Sequence, residues 1–148
     1  MSATGLAVLF TLVAGIAGSL QAAINTRLGT RIGTLEAATF QTLIALITFV
    51  IAMAIARGGL TGALSGFKQP VWMWLGGLMG FLIVSAITYA PGKLGTLGFS
   101  AIYITLQLAT AALIDAFGLF GFERVGMSWH RGLGLLLLAA GSALVLKR

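Results

Sequence analysis

The 148-residue sequence has no cysteine, one histidine and only three acidic residues. The missing cysteines exclude disulfide frameworks and thiolate metal sites. A single His130 cannot form a metal centre, and no cofactor is expected. Charged residues make up 8% of the chain, whereas a soluble domain carries about a quarter. Because so few charges cannot cover a water-exposed surface, soluble globular classes are excluded.

Apolar residues take the place of the missing charges. Hydrophobic residues account for 59% of the chain, and the mean hydropathy is +1.06. The nine basic residues give a net charge of +6, but they stand singly between apolar runs. This spacing is typical of contacts with lipid headgroups and argues against nucleic-acid binding. The lipid bilayer is therefore the expected environment.

Five apolar runs are long enough, or nearly so, to cross a bilayer as helices. They predict an all-α membrane protein that forms one transmembrane domain over residues 1–148, with spans at about 6–24, 35–56, 71–90, 97–120 and 132–146. The first run follows no basic segment and is kept as a span rather than a cleaved signal peptide. The fifth run reaches only about 22 Å at 1.5 Å per residue. We expect it either to include Ser128, Trp129 and His130 or to lie where the bilayer thins.

The numbers of basic residues predicted on the two sides of the membrane are nearly equal, so they hardly favour one orientation of the chain. One side of the membrane would carry Arg57, Lys68, Arg124 and Arg131, and the other Arg27, Arg31, Lys93, Lys147 and Arg148. Orientation follows the Lys/Arg imbalance between the two sides. Two interpretations stay open. Either a feature outside this count fixes one orientation, or both orientations insert and pair as an antiparallel ten-helix homodimer.

A polar stripe runs along the fourth span. At 100° per residue, its side chains fall within an arc of about 140°; they are Thr96, Ser100, Tyr103, Gln107, Thr110 and Asp115. Such a stripe is suited to a water-filled substrate path. Alternatively, the hydroxyl groups hydrogen-bond neighbouring helices, and Asp115 reaches the headgroup level near Arg124.

The first span ends in a second polar face. Gln21 and Asn25 are i,i+4 neighbours there, and Arg27 and Arg31 follow, either at a cavity mouth or as interface anchors. Gln41, in the second span, is expected to face protein. Two glycine sets predict close helix packing. Gly76, Gly77 and Gly80 would pack internally, and Gly134 and Gly141 would form a dimer contact.

Several of these motifs resemble the YdcZ-type branch of the drug/metabolite transporter superfamily. They are the stretch from Gln21 to Gly29, the segment Trp74–Gly80, and Gln107 followed by Leu113–Gly118 and Arg131–Gly134. The sequence departs from that pattern at Leu106, where glycine is expected, and at Ala116, where histidine is common. The resemblance implies a five-helix half-transporter of a bacterial inner membrane, completed by pairing through its last helix.

These features predict a transporter of small metabolites or drug-like compounds that works by alternating access as an antiparallel homodimer. Gln21, Asn25, Tyr103 and Gln107 would orient the substrate by hydrogen bonds, and Asp115 would exchange a proton for a cationic or amine-bearing substrate. The alternatives are an anionic-metabolite carrier that uses Arg27, a channel, or a non-transporting assembly subunit. An enzyme is not expected, because the sequence offers no paired carboxylates, Ser/His/Asp set or metal cluster.

Overall fold

The computed structural model describes residues 2–147, and over this range the chain is helical without a strand. We number the five long helices α1 (Ala3–Ile32), α2 (Thr34–Arg57), α3 (Leu75–Tyr89), α4 (Pro91–Phe117) and α5 (Trp129–Leu146). A helical turn at Thr61–Leu64 and 3-10 turns at Ser65–Lys68, Val71–Trp74 and Leu119–Gly121 lie between them. Within the described residues, five helices are long and apolar enough to cross a membrane. The all-α prediction is confirmed.

Helix α1 continues past Ile24, where the first apolar run ends. It has 30 residues, which corresponds to about 45 Å and exceeds the hydrocarbon core of about 30 Å. The polar turns that carry Arg27 and Arg31 are therefore helical rather than a loop. The helix ends at Gly33, whose φ of 103° favours glycine. A Cβ at Gly33 would also collide with the Glu36 carboxylate.

The other helix ends also differ from the limits of the apolar runs. Helix α4 begins at Pro91, a residue suited to a first helical turn, and it is interrupted at Gly95 (φ 75°). It ends at Phe117 because Gly118 adopts a left-handed conformation. Helix α5 begins at Trp129, where the Ser128 hydroxyl accepts a hydrogen bond from the Arg131 amide at 3.4 Å. The Trp129–His130 pair is thus part of the fifth helix.

The chain divides into two compact units, one up to Gly92 and one from Lys93. In the first, α1, α2 and α3 all contact one another. Their buried residues lie near the α1–α2 turn and the C-terminal end of α3; they are Ala22, Asn25, Ala37, Ala38, Ile87 and Thr88. Thr26 donates a hydrogen bond to the Ile87 carbonyl at 3.3 Å. The three helices are therefore joined tightly at one end.

In the second unit, α4 and α5 form a hairpin held by hydroxyl groups. The Thr105 and Ser142 oxygens lie 2.6 Å apart, and Ser142 also donates to the Ala101 carbonyl at 2.8 Å. A Cβ at Gly98 would lie 3.4 Å from Leu146 Cδ2, so the helices approach closely there. Large apolar side chains elsewhere remain uncovered, among them Phe49 at 72% and Ile55 at 82% exposure. Contact with lipid accounts for such surfaces.

Candidate substrate cavity

A cavity of about 520 Å³ lies among the three helices of the first unit. Its volume falls within the range of small-molecule sites, about 300–1,000 Å³. Its wall is formed by Gln21 of α1, by Ala38, Thr39, Gln41, Thr42, Leu43, Ala45 and Leu46 of α2, and by Gly77, Gly80, Phe81 and Val84 of α3. Ala38 is also one of the buried residues at the end of the unit where the three helices are tightly joined.

Uncharged polar groups from two helices supply the hydrogen-bonding capacity of the wall. Gln21 and Gln41 each carry an acceptor and two donors, and Gln41 is half-buried. Thr42 donates its hydroxyl proton to the Ala38 carbonyl at 2.8 Å, which leaves its oxygen free to accept. The rest of the wall is apolar apart from Thr39. An apolar surface with a few polar groups is the usual form of a small-molecule pocket.

The glycines of α3 create this space. Gly77 and Gly80 line the cavity, and no heavy atom lies within 4 Å of a Cβ built on either. The prediction that this glycine patch packs internally is therefore wrong for these two positions. Glycine permits the close approach of a helix, but it equally leaves room for a ligand when no helix fills the site.

Asn25 lies one helical turn from Gln21 and is 1% exposed. Among the described residues, neither its Oδ1 nor its Nδ2 has a hydrogen-bond partner, and the buried Ser85 hydroxyl is likewise unpartnered. Leaving such a group unsatisfied costs about 1–3 kcal/mol. Asn25 shares the packed side of α1 with Ala22 and Gly29, and a Cβ added at Gly29 would come within 3.1 Å of Thr88. A buried carboxamide thus lies one helical turn from Gln21, although Asn25 is not itself one of the residues that line the cavity.

Arg27 and Arg31 lie on a different side of α1. At 100° per residue, Arg27 is turned about 160° from Asn25. Both arginines are exposed and line a shallow groove with Ala23, Ile24 and Leu28, all on α1 itself. The structure therefore separates these cations from Gln21 and Asn25.

The middle of the polar stripe on α4, around Tyr103 and Gln107, faces away from α5, whereas Asp115 is turned only about 40° from Ala101 and lies toward α5. Thr105 and Ala101 mark the side that contacts α5, and Gln107 is turned about 160° from Thr105. Gln107 is exposed, while Tyr103 is half-buried and stacks on Phe99 with ring centroids 5.5 Å apart. These predicted substrate contacts lie in the second unit, whereas Gln21 and Asn25 lie in the first.

Asp115 lies near the C-terminal end of α4 and pairs with Arg131. The Oδ2 to Nη1 distance is 3.7 Å, and the two side chains are 44% and 46% exposed. Arg124, the partner considered from the sequence, instead donates its Nε–H to the Ala116 carbonyl at 2.9 Å. That contact satisfies an end carbonyl of α4 and places a cation at the negative end of the helix dipole.

The model of the family described as "Putative inner membrane exporter, YdcZ" matches residues 6–144. The chain belongs to this family. No curated protein and no solved structure matches the chain.

Membership in the YdcZ family confirms the resemblance drawn from the motifs. The matched range includes the cavity residues, Asn25, and the Asp115–Arg131 pair. The protein is a multi-pass inner-membrane protein of a transporter family rather than an enzyme family.

The cavity of this YdcZ-family chain was only partly predictable. Gln21 was selected for its polar face, and it lines the wall. Thr39 and Thr42 were missed, and Gln41 was expected only to face protein. A signal existed: Ala38, Gln41, Thr42 and Ala45 share the i, i+3, i+4, i+7 spacing of one helix face. Isolated hydroxyl groups in an apolar run do not reveal whether they meet a helix or a ligand.

Proposed function

We propose that this protein exports a small amphipathic molecule across the inner membrane and binds it in the cavity among α1, α2 and α3. The observation that carries this proposal is the cavity of about 520 Å³, with carboxamide and hydroxyl groups on an otherwise apolar wall. Family membership supplies the direction of transport.

Filling the cavity tests the proposal. Gly80→Leu places a side chain in the open space that the ligand would occupy, so we expect it to prevent binding. Gly76→Leu is the matched control, because Gly76 also has nothing within 4 Å of a Cβ but does not line the cavity. We expect Nile red efflux from preloaded, energised cells to slow for Gly80→Leu only. Equal slowing, or efflux no faster than in cells without the protein, contradicts the proposal.

We further propose that transport proceeds by alternating access in an antiparallel homodimer. The odd number of spans and the nearly equal basic residues on the two sides support dual orientation. Because the chain lacks cysteine, Gly59→Cys and Gly126→Cys report one predicted side and Lys147→Cys the other. We expect each to react partly from each face of the membrane. Labelling of each site from a single face would exclude the antiparallel homodimer.

Gly134 and Gly141 are the proposed contact between the two copies. Nothing lies within 4 Å of a Cβ at either position, and their side of α5 is turned about 90° from Ser142. Gly141→Leu should reduce cross-linked dimer in native membranes, whereas Gly132→Leu, on the opposite side of the helix, should not. Unchanged cross-linking in Gly141→Leu would place the contact elsewhere.

Proton coupling through Asp115 completes this proposal. The half-exposed ion pair with Arg131 can open, which would free the carboxylate to take up a proton. Tyr103 and Gln107 would supply hydrogen bonds along the polar stripe. Asp115→Asn should abolish the dependence of Nile red efflux on the proton gradient, and unchanged coupling would remove Asp115 from the mechanism.

Each of the remaining alternatives predicts a different result. A channel would give flux that does not saturate and needs no gradient. An anion carrier would lose activity in Arg27→Gln, although Arg27 lies on the side of α1 away from Asn25. A non-transporting subunit would move nothing after purification and reconstitution.

A further inference from the structure

In the part of the chain that the structure describes, no charged side chain lines the cavity. The first unit contains Arg27, Arg31, Glu36, Arg57 and Lys68, and none of them belongs to the wall. Glu36 stands in the first turn of α2, before the segment that lines the cavity. The cavity therefore offers neither a cation nor an anion to a bound molecule.

Carboxamides select for uncharged ligands in such a setting. An ion that enters an apolar site without an opposite charge loses its hydration and gains little in return. Gln21 and Gln41 instead present both donors and acceptors, which match an uncharged group that also has both. The Asn25 carboxamide lies one turn away from Gln21, behind the lining residues, and neither of its polar atoms has a partner within the described range of the chain.

We infer that the ligand of this cavity is an uncharged amphipathic compound, with an apolar body and an amide-like or hydroxyl-bearing end. This inference rests on the proposed function for the identity of the site. The apolar body would lie against Leu43, Leu46 and Phe81, and the polar end would bind the carboxamides of Gln21 and Gln41. Asn25 would hydrogen-bond that end directly or through a water.

Three compounds of nearly equal shape test the ligand class. Biphenyl-4-carboxamide is uncharged, biphenyl-4-carboxamidine is a cation and biphenyl-4-carboxylate is an anion near neutral pH. Binding to purified protein in lipid nanodiscs is measured by isothermal titration calorimetry, with empty nanodiscs subtracted. We expect the carboxamide to bind at least about tenfold more tightly than either ion, because desolvating an unpaired charge is the larger cost. Preference for an ion, or no binding by any compound, overturns the inference.

Two variants locate the selectivity in the cavity. Gly80→Leu should abolish carboxamide binding, whereas Gly76→Leu should preserve it. Gln41→Glu introduces a carboxylate into the wall, so the preference should move to the amidine. Retention of carboxamide binding in Gly80→Leu, or an unchanged order of affinities in Gln41→Glu, would show that the compound binds elsewhere.

Failure of this inference can be distinguished from failure of the proposed function. If Gly80→Leu abolishes carboxamide binding but leaves efflux unchanged, the inferred ligand class stands and the cavity is not the site of export. If Gly80→Leu slows efflux but the amidine or the carboxylate binds more tightly than the carboxamide, the cavity remains the site of export and the inferred ligand class is wrong.

Discussion

The two units of the chain differ in how far the polar side chains between their helices are paired. In the second unit, Thr105 pairs with Ser142 and Asp115 pairs with Arg131, so polar groups join the two helices of the hairpin. In the first unit, Thr26 bonds to Ile87, but Asn25 is buried without a partner among the residues described and Gln21 faces a cavity. Satisfied pairs are explained by helix association alone. A buried group without a protein partner needs a further explanation, which a bound water or a ligand can supply.

Glycine serves both purposes in this chain. Gly98 lies close to Leu146 and Gly29 close to Thr88, while Gly77 and Gly80 face open space. The same residue type thus permits close packing at some positions and provides volume for the cavity at others. Three sets of substitutions test this difference between the units: at Asn25, at the Thr105–Ser142 contact and at the Asp115–Arg131 pair.

The largest effect is expected at Asn25. Asn25→Leu keeps nearly the same shape but removes an unpartnered buried carboxamide, so the free energy of unfolding should stay the same or rise by about 1–3 kcal/mol. Nile red efflux should nevertheless fall by about tenfold or more, the loss expected when a buried hydrogen-bonding group no longer meets its ligand. Thermal unfolding in detergent measures the first quantity. A strongly destabilised Asn25→Leu would show that Asn25 has a structural partner after all.

A smaller effect, and only on stability, is expected at the hairpin. The coupling between Thr105→Val and Ser142→Ala should be about 0.6 kcal/mol and no more than about 1.7 kcal/mol, the average and the maximum for hydrogen bonds between membrane helices. Efflux should be unchanged, because neither residue lines the cavity. A double-mutant cycle of unfolding free energies gives the coupling. Loss of efflux without loss of stability would assign these hydroxyl groups a role in transport.

The sequence predicts the membrane-spanning helices better than it predicts the candidate site. Hydropathy located all five helices because lipid requires long apolar runs. It misplaced their ends because backbone conformation at Gly33 and Gly118 sets these, while hydropathy reports only where polar residues begin. Helix α1 therefore extends past Ile24, and α4 stops at Phe117.

The residues of the candidate site could not be predicted from their spacing along the sequence, because spacing does not show which helices they contact. Gly77 and Gly80 have the spacing of packing glycines, and only the positions of α1 and α2 show that they face open space. Likewise, Arg124 is nearer to Asp115 in sequence than Arg131 is. The left-handed residues Gly118 and Phe120 help reverse the chain, and Arg124 reaches the Ala116 carbonyl while Arg131 reaches the carboxylate.

The smallest effect is expected for the Asp115–Arg131 pair. Its 3.7 Å distance and half-exposed side chains place it among surface ion pairs, for which solvent screening limits the coupling to about 0–1 kcal/mol. The cycle of Asp115→Asn and Arg131→Gln should show such a coupling at low salt, and it should shrink as ionic strength rises. A coupling well above this range that persists at high salt would mean that the pair is buried in the assembled protein. The second unit would then contain a buried ion pair. It could no longer be described as a hairpin whose polar groups only join α4 to α5, in contrast to the first unit with its cavity.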